Sequence, residues 1–232
     1  MNVKALKTRI FREGEDLVSF VTSHVKKPKE GTILVVTSKI VALSERRTAD
    51  IRQKVSTIKA ESEFALKTKY AWLTIKDGTV MANAGVDESN AAGKLVLLPK
   101  DSFLAAAELR KELKKRWRLQ KLGVLITDSR LMPLRAGVVG VALGYAGFKG
   151  LRDYRGKCDI FGRVLKMSQT DVADSLATAA VLEMGEGSER KPLVVIENAP
   201  VEFSERVNRK ELLIELTDDL YYPLFRQAKR GR

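Results

Sequence analysis

"AGVVGVALGYAGFKG", residues 136–150, is the stretch on which the fold turns. Its glycines recur every three or four residues in a run that is otherwise small and apolar. A Rossmann turn needs G-x-G-x-x-G and a P-loop needs G-x-x-x-x-G-K-[ST], and neither spacing is present. In a strand-like run, glycine serves close backbone packing or bulges rather than phosphate binding. The segment therefore reads as a buried strand whose neighbours approach its backbone, and both common nucleotide-binding α/β folds fall away.

Working outward, "LGVLITDS" (122–129) is a buried strand that ends in polar residues. Before it, "DSFLAAAELRKELKKRWRLQ" (101–120) reads as a helix capped by Asp101 or Ser102. "KLVLLP" (94–99) is a strand, and "YAWLTIKDGTVMANAG" (70–85) is two strands around an Asp77-Gly78 hairpin turn. "GTILVVTSKIVAL" (31–43) reads as a buried strand running into a polar "TSK" bend, and "EGEDLVSFVTSHV" (13–25) as a helix after an acidic start. Downstream, "TDVADSLATAAVLEMGEG" (170–187) is a capped amphipathic helix that breaks at "GEG", and "PLVVIENAP" (192–200) is a last core strand. Strands and helices intermix without a βαβ rhythm. That predicts an α+β fold, mixed sheets with flanking helices, in a single domain over 1–232 or in two interlocked subdomains.

Composition narrows the chemistry. One cysteine, Cys158, excludes an internal disulfide or thiolate cluster, and one histidine, His24, makes His-rich zinc sites and a serine-protease-like triad poor candidates. His24 reads as a helix-face residue. No uncharged apolar run approaches the roughly 18 residues of a membrane span, and "MNVKALKTRI" lacks the apolar core of a signal peptide, so the expectation is a cytoplasmic protein. The net charge of +13 favours anionic partners. Basic residues gather in "ELRKELKKRWRLQK" (108–121), which alternatively is a solvated helix face, and in the tail at 226–232. Without a nucleic-acid motif, nucleic-acid binding rests on charge alone and is not expected. Any catalysis must run on oxygen ligands, lysines and arginines.

Acidic or polar clusters close three apolar elements: Asp87 and Asn90 in "NAGVDESN" (83–90), Asp128 and Ser129 in "ITDS", and Glu186 in "MGEG". Each alone reads as a turn or cap. Together they form an oxygen-only donor set of the kind hard divalent cations prefer, and two Mg²⁺ or Mn²⁺ ions so held would bridge nucleotide phosphates.

"LVVTSKIV", "MANAGVDESN", "GVLITDS" with "PLRAGVVGVALG", "DYRGKCDIFGR" and "LEMGEG" follow one another in that order. With them the chain resembles the coenzyme F420:L-glutamate ligase family, over roughly residues 5 to 200. The resemblance implies a GTP-dependent amide ligase with two divalent metals and an intertwined homodimer of α+β architecture. It implies Asp87 and Asp128 on one metal, and Ser129 and Glu186 on the second. Nucleotide contacts fall on Ile10 and Phe11, Ser38 and Lys39, Asn90, and the turn Met184, Gly185, Glu186, Gly187 and Ser188. The implied substrates are L-glutamate, GTP (or ATP) and an anionic acceptor, the coenzyme precursor or another carboxylate. Arg135 and Arg163 are candidates for stabilising transition-state charge, with surface or structural ion pairs as their alternative.

The chain departs from the family around this set. Where "SKAEGR" is common, "ALSERR" (42–47) puts Leu43 for a nucleotide-contacting lysine and Arg46 for glycine. Where "TDSFGRPWR" is common, "TDSRLMPLR" (127–135) keeps Pro133 and Arg135 but loses the Gly-Arg pair and the aromatic. The stretch from 48 to 70 also looks short. Retained metal positions in an altered pocket suggest the same chemistry on a changed acceptor or nucleotide. The competing class is a non-catalytic binding protein that keeps the fold.

Overall fold

The computed structural model describes residues 1–224, so the basic tail at 226–232 lies outside the described residues. Along the chain run β1 (Asn2–Leu6), α1 (Leu17–His24), β2 (Thr32–Thr37), α2 (Ser38–Ser44), β3 (Thr48–Asp50) and α3 (Lys54–Ala60). Then come β4 (Phe64–Lys67), β5 (Trp72–Lys76), β6 (Thr79–Ala82), β7 (Lys94–Val96), α4 (Ser102–Trp117), β8 (Leu122–Leu131) and β9 (Val138–Ala146). The last are β10 (Leu151–Asp153), β11 (Gln169–Asp171), α5 (Val172–Met184) and β12 (Leu193–Glu197). The fold is α+β, with mixed sheets flanked by helices.

A five-stranded sheet in the order β1-β12-β2-β8-β9 forms the centre, with β2 parallel to β8 and the other neighbours antiparallel. Strand alternation divides its core. Leu34, Val36, Val124 and Ile126 face a layer built by α1, α2 and α4, while Ile33, Val35, Leu125 and Ile196 face α5. This two-sided burial is why "TILVV" reads as a continuous apolar run. A three-stranded sheet, β4-β5-β6, turns at Asp77 and Gly78, both at positive φ as a two-residue hairpin requires.

The glycine run is β9 and its exit, and close packing is its role. A Cβ on Gly140 would lie 2.2 Å from the Ala177 carbonyl oxygen of α5, and one on Gly144 would lie 2.4 Å from the Ser102 backbone of α4. These positions share strand parity yet meet helices on opposite faces. The register explains it: Ala142 pairs with Thr127 and Gly144 with Ile126, leaving Leu143 as an extra residue that flips the later side chains.

The caps fall where the acidic residues predict them. Asp16, Asp101 and Asp171 each accept from a backbone amide in the first turn of α1, α4 and α5. His24 sits on the α1 face, its Nδ1 2.8 Å from the Phe20 carbonyl. One local expectation is corrected: the strand in 31–43 ends at Thr37, and "TSK" opens α2 rather than a bend. Ile40, Val41 and Ala42 are buried on that helix, a short apolar run whose type periodicity alone cannot decide.

Candidate functional site

The parallel pair β2 and β8 is in register from Thr32 with Leu122 to Thr37 with Thr127. The residues that follow, Ser38 at the start of α2 and Asp128 within β8, therefore stand side by side where the parallel pairing ends, the end of a sheet at which open α/β folds collect ligands. Ser38 Oγ donates to Asp128 Oδ1 at 3.1 Å. A cleft of about 310 Å³ opens here, lined among others by Lys39, Asp87, Ser129, Arg130 and Leu131.

Asp87 reaches the cleft by a strained route. Asn83, Ala84 and Gly85 follow β6 at φ 53°, 53° and 72°. A Cβ on Gly85 would lie 2.4 Å from Leu98 Cγ, so glycine is required there by space as well as by φ. Buried Ala84 in a left-handed conformation costs on the order of 1–2 kcal/mol. Its amide donates to Thr74 Oγ1 at 2.8 Å, and the Trp72 amide donates to Asn83 Oδ1 at 2.9 Å, so β5 holds the turn. Asp87 then bridges to Val96 of β7 through both backbone groups.

The carboxylates differ. Asp128 is half-buried, and desolvation raises its carboxyl from the ordinary 3.8 to about 6 despite the Ser38 hydroxyl and the Ser129 amide. Burial also acts against the Asp87 carboxylate, but Lys39 and Ser89 more than offset it and hold it below the usual range. Lys39 Nζ lies 2.7 Å from Asp87 Oδ2.

The cation set is assembled in part. Asp87, Asp128 and Ser129 line one cleft, whereas Glu186 is exposed on the loop after α5. Among the described residues no three His, Cys, Asp or Glu side chains converge as a cation-binding group. The chemistry of the cleft nonetheless suits one hard cation: half-buried Asp128 has a hydroxyl partner and, among the described residues, no ion pair, and its neighbours offer oxygen donors.

The proposed nucleotide residues divide similarly. Asn90, at φ 52°, donates from Nδ2 to the Gly187 carbonyl at 3.3 Å, which brings the 185–188 turn beside the cleft loop. Gly185 ends α5 at φ 77°, Glu186 and Ser188 are exposed, and Met184 is buried in the core beneath them. Ile10 lines a second hollow of about 460 Å³ with Arg9, Arg12, Glu15 and Arg190. Phe11 faces inward, its ring edge-on to Phe20. Arg135 is exposed in the β8–β9 turn, and Arg163 is exposed between β10 and β11, its amide bonded to Asp159. Neither lines the cleft.

The cleft arginine is Arg130, which the sequence reading passed over. Burial lowers its pKa, with Asp174 and Asp128 acting in the opposite sense, and no hydrogen bond engages its guanidinium among the described residues. Its signal was present: Arg130 follows Asp128 by two residues on one strand and so shares its face. Arg46, where the family commonly has glycine, occupies the left-handed position just past α2 at φ 56°, and its guanidinium lies against Gly14.

A family model described as F420-0:Gamma-glutamyl ligase matches residues 5–71 and 53–198, two segments that overlap in the stretch read as short. A coenzyme F420:L-glutamate ligase of Methanococcus maripaludis is 36% identical over 215 residues, covering 90% of this chain and 86% of the relative. That of Methanocaldococcus jannaschii is 32% identical over 243 residues, with 95% and 96% covered. That of Halobacterium salinarum is 31% identical over 245 residues, with 94% and 92% covered. On its β2–β8 cleft, its "NAGVD" turn and these matches, the chain belongs to the F420-0:gamma-glutamyl ligase family.

Proposed function

We propose that the protein joins L-glutamate to a carboxylate of the coenzyme F420 precursor in a GTP- and divalent-metal-dependent reaction. The observation that carries this is the cleft itself: a half-buried carboxylate without an ion pair among the described residues, beside a second carboxylate, a lysine and an arginine whose guanidinium none of the described residues bonds. A divalent ion bound at Asp87 and Asp128 would neutralise phosphate charge. Ser38 fixes the Asp128 carboxylate, and Arg130 offers its guanidinium to the acceptor or to the transferring phosphoryl group. An acceptor carboxylate oxygen attacks the γ-phosphorus, the bond to the β-phosphate oxygen breaks, and GDP leaves. The glutamate amine then attacks the acyl carbon, loses a proton and expels phosphate. No protein nucleophile enters, which agrees with one histidine and one exposed cysteine. A second ion would need the 185–188 turn to bring Glu186 toward Ser129.

A changed acceptor is a second reading, favoured by one observation. Arg130 and Leu131, which stand where the family commonly has the Phe-Gly pair, line the cleft. The test offers labelled glutamate, GTP or ATP, and Mn²⁺ to the coenzyme precursor, an oligoglutamate peptide and a protein fraction. Efficient labelling of the precursor alone supports the first reading and removes the second. Labelling of none, with no nucleotide hydrolysis, overturns both and leaves a binding protein.

A homodimer belongs to the same reading. The glycine-rich 136–150 stretch is a poor contributor to it, because Gly140, Gly144, Gly147 and Gly150 pack against α5, α4, Arg110 and Tyr145 of their own chain. The better surfaces are the exposed Leu134 beyond β8 and the exposed Ile160, Phe161 and Met167 between β10 and β11. A monomer in light scattering at micromolar concentration would overturn the dimer. No helix among the described residues is long and apolar enough to cross a membrane.

A further inference from the structure

We infer that Lys39 is a stand-in cation: it holds Asp87 while the divalent ion is away, and is displaced to the nucleotide phosphates when the ion binds. The inference deepens the reading of the cleft as a metal–nucleotide site and rests on it.

The argument is one of occupied valence. The Lys39 ammonium has three hydrogens. It lies 2.7 Å from Asp87 Oδ2, 2.7 Å from the Ser89 carbonyl oxygen and 3.3 Å from Ser89 Oγ. All three donors are spent on one loop, so in this arrangement Lys39 has nothing left for a phosphate. Asp87 is similarly engaged: Oδ2 also accepts from Ser89 Oγ at 2.7 Å, and Oδ1 from the Ser89 amide at 2.8 Å. A divalent cation needs a carboxylate oxygen at little over 2 Å, closer than an ammonium sits, and two cations cannot share that point. The ion and Lys39 therefore compete for Oδ2, and an ion taking the remaining lone pair of Oδ1 would still repel the ammonium a few ångströms away.

The surroundings make the exchange feasible. The Lys39 and Asp87 side chains are 26% and 44% exposed, so the pair stands at the cleft wall and not in the core. Lys39 lies in the first turn of α2, beside Ser38, on a flexible four-carbon stem that can swing without moving the helix. Lys39 also lines the cleft, so a short swing brings it to a ligand there. Displacement frees an ammonium in the cleft at the moment the ion neutralises the carboxylate. Metal and nucleotide then favour one another's binding, as linkage demands.

The exchange predicts opposite signs at one residue. Mn²⁺ is titrated into nucleotide-free protein by electron paramagnetic resonance, and a non-hydrolysable GTP analogue by calorimetry with Mn²⁺ present. Lys39→Met should bind Mn²⁺ about tenfold more tightly than the parent and the analogue about tenfold more weakly. Lys39→Arg, which keeps a cation, should return Mn²⁺ affinity to within about threefold of the parent. A lysine that merely props the loop gives the reverse: Lys39→Met then binds Mn²⁺ equally or more weakly, and the exchange is overturned. If neither the parent nor Lys39→Met takes up Mn²⁺, while thermal unfolding shows both folded, the metal reading fails and the inference falls with it.

Discussion

Asp128→Asn separates stability from function at one half-buried carboxyl. Raising a carboxyl from 3.8 to about 6 by burial means that the folded protein is destabilised by about 3 kcal/mol when Asp128 is ionised, at ~1.4 kcal/mol for each tenfold in proton affinity. The sign follows from linkage. With the folded pKa above the unfolded one, the group's contribution to stability is fully present below pH 3.8 and is lost as pH rises through about 6. Asparagine keeps the shape and an oxygen to accept from Ser38, and it has no charge to desolvate. In EDTA the variant should therefore unfold roughly 6–12 °C above the parent at pH 7.5. The gap should close toward pH 4, where the parent carboxyl is protonated. Turnover should fall at least ~100-fold, and Mn²⁺ should no longer raise the unfolding temperature. Differential scanning calorimetry of both proteins across pH 4–8 measures this, since other carboxylates cancel in the difference. A variant less stable than the parent at pH 7.5, or a gap indifferent to pH, would refute the claim that Asp128 is a destabilising charge awaiting a cation.

Gly140→Ala puts a methyl 2.2 Å from the Ala177 carbonyl oxygen, where helix backbone must move, and should lower stability by about 3 kcal/mol in urea denaturation. Arg110→Met leaves the Leu122 carbonyl without its 2.6 Å donor and Glu205 without its bidentate partner, and should cost about 2–3 kcal/mol. Glu205→Gln, at a side chain 69% exposed, should cost under about 1 kcal/mol in the same assay. Arg130→Met replaces with apolar bulk a guanidinium that makes no hydrogen bond among the described residues, so the unliganded protein should keep its unfolding temperature to within a few degrees. Turnover should nonetheless drop at least ~30-fold if Arg130 meets the acceptor or phosphoryl charge. A normal rate by labelled-glutamate incorporation would remove Arg130 from the reaction.

Local rules in the sequence by themselves determined much of this protein. Asp16, Asp101 and Asp171 start their helices because a carboxylate can take an orphan amide. Asp77-Gly78 turns a hairpin because both residues accept positive φ, and the glycines of 136–150 read as packing contacts because no phosphate-binding spacing is present. The order of "TSK", "NAGVD" and "TDS" also marked a family and a donor set. Tertiary structure decided which of those donors meet. Asp87 and Asp128 are 41 residues apart in the sequence, and they share a cleft because β2 and β8 are parallel neighbours and a strained turn is pinned by Thr74. Glu186, Arg135 and Arg163 had equal claim as sequence symbols, yet they lie on exposed loops whose approach no local spacing encodes. The three hydrogen bonds of Lys39 and the place of Arg130 in the cleft wall could not be read in advance either. They are properties of space between elements, set by strand order and register, and a linear pattern carries neither.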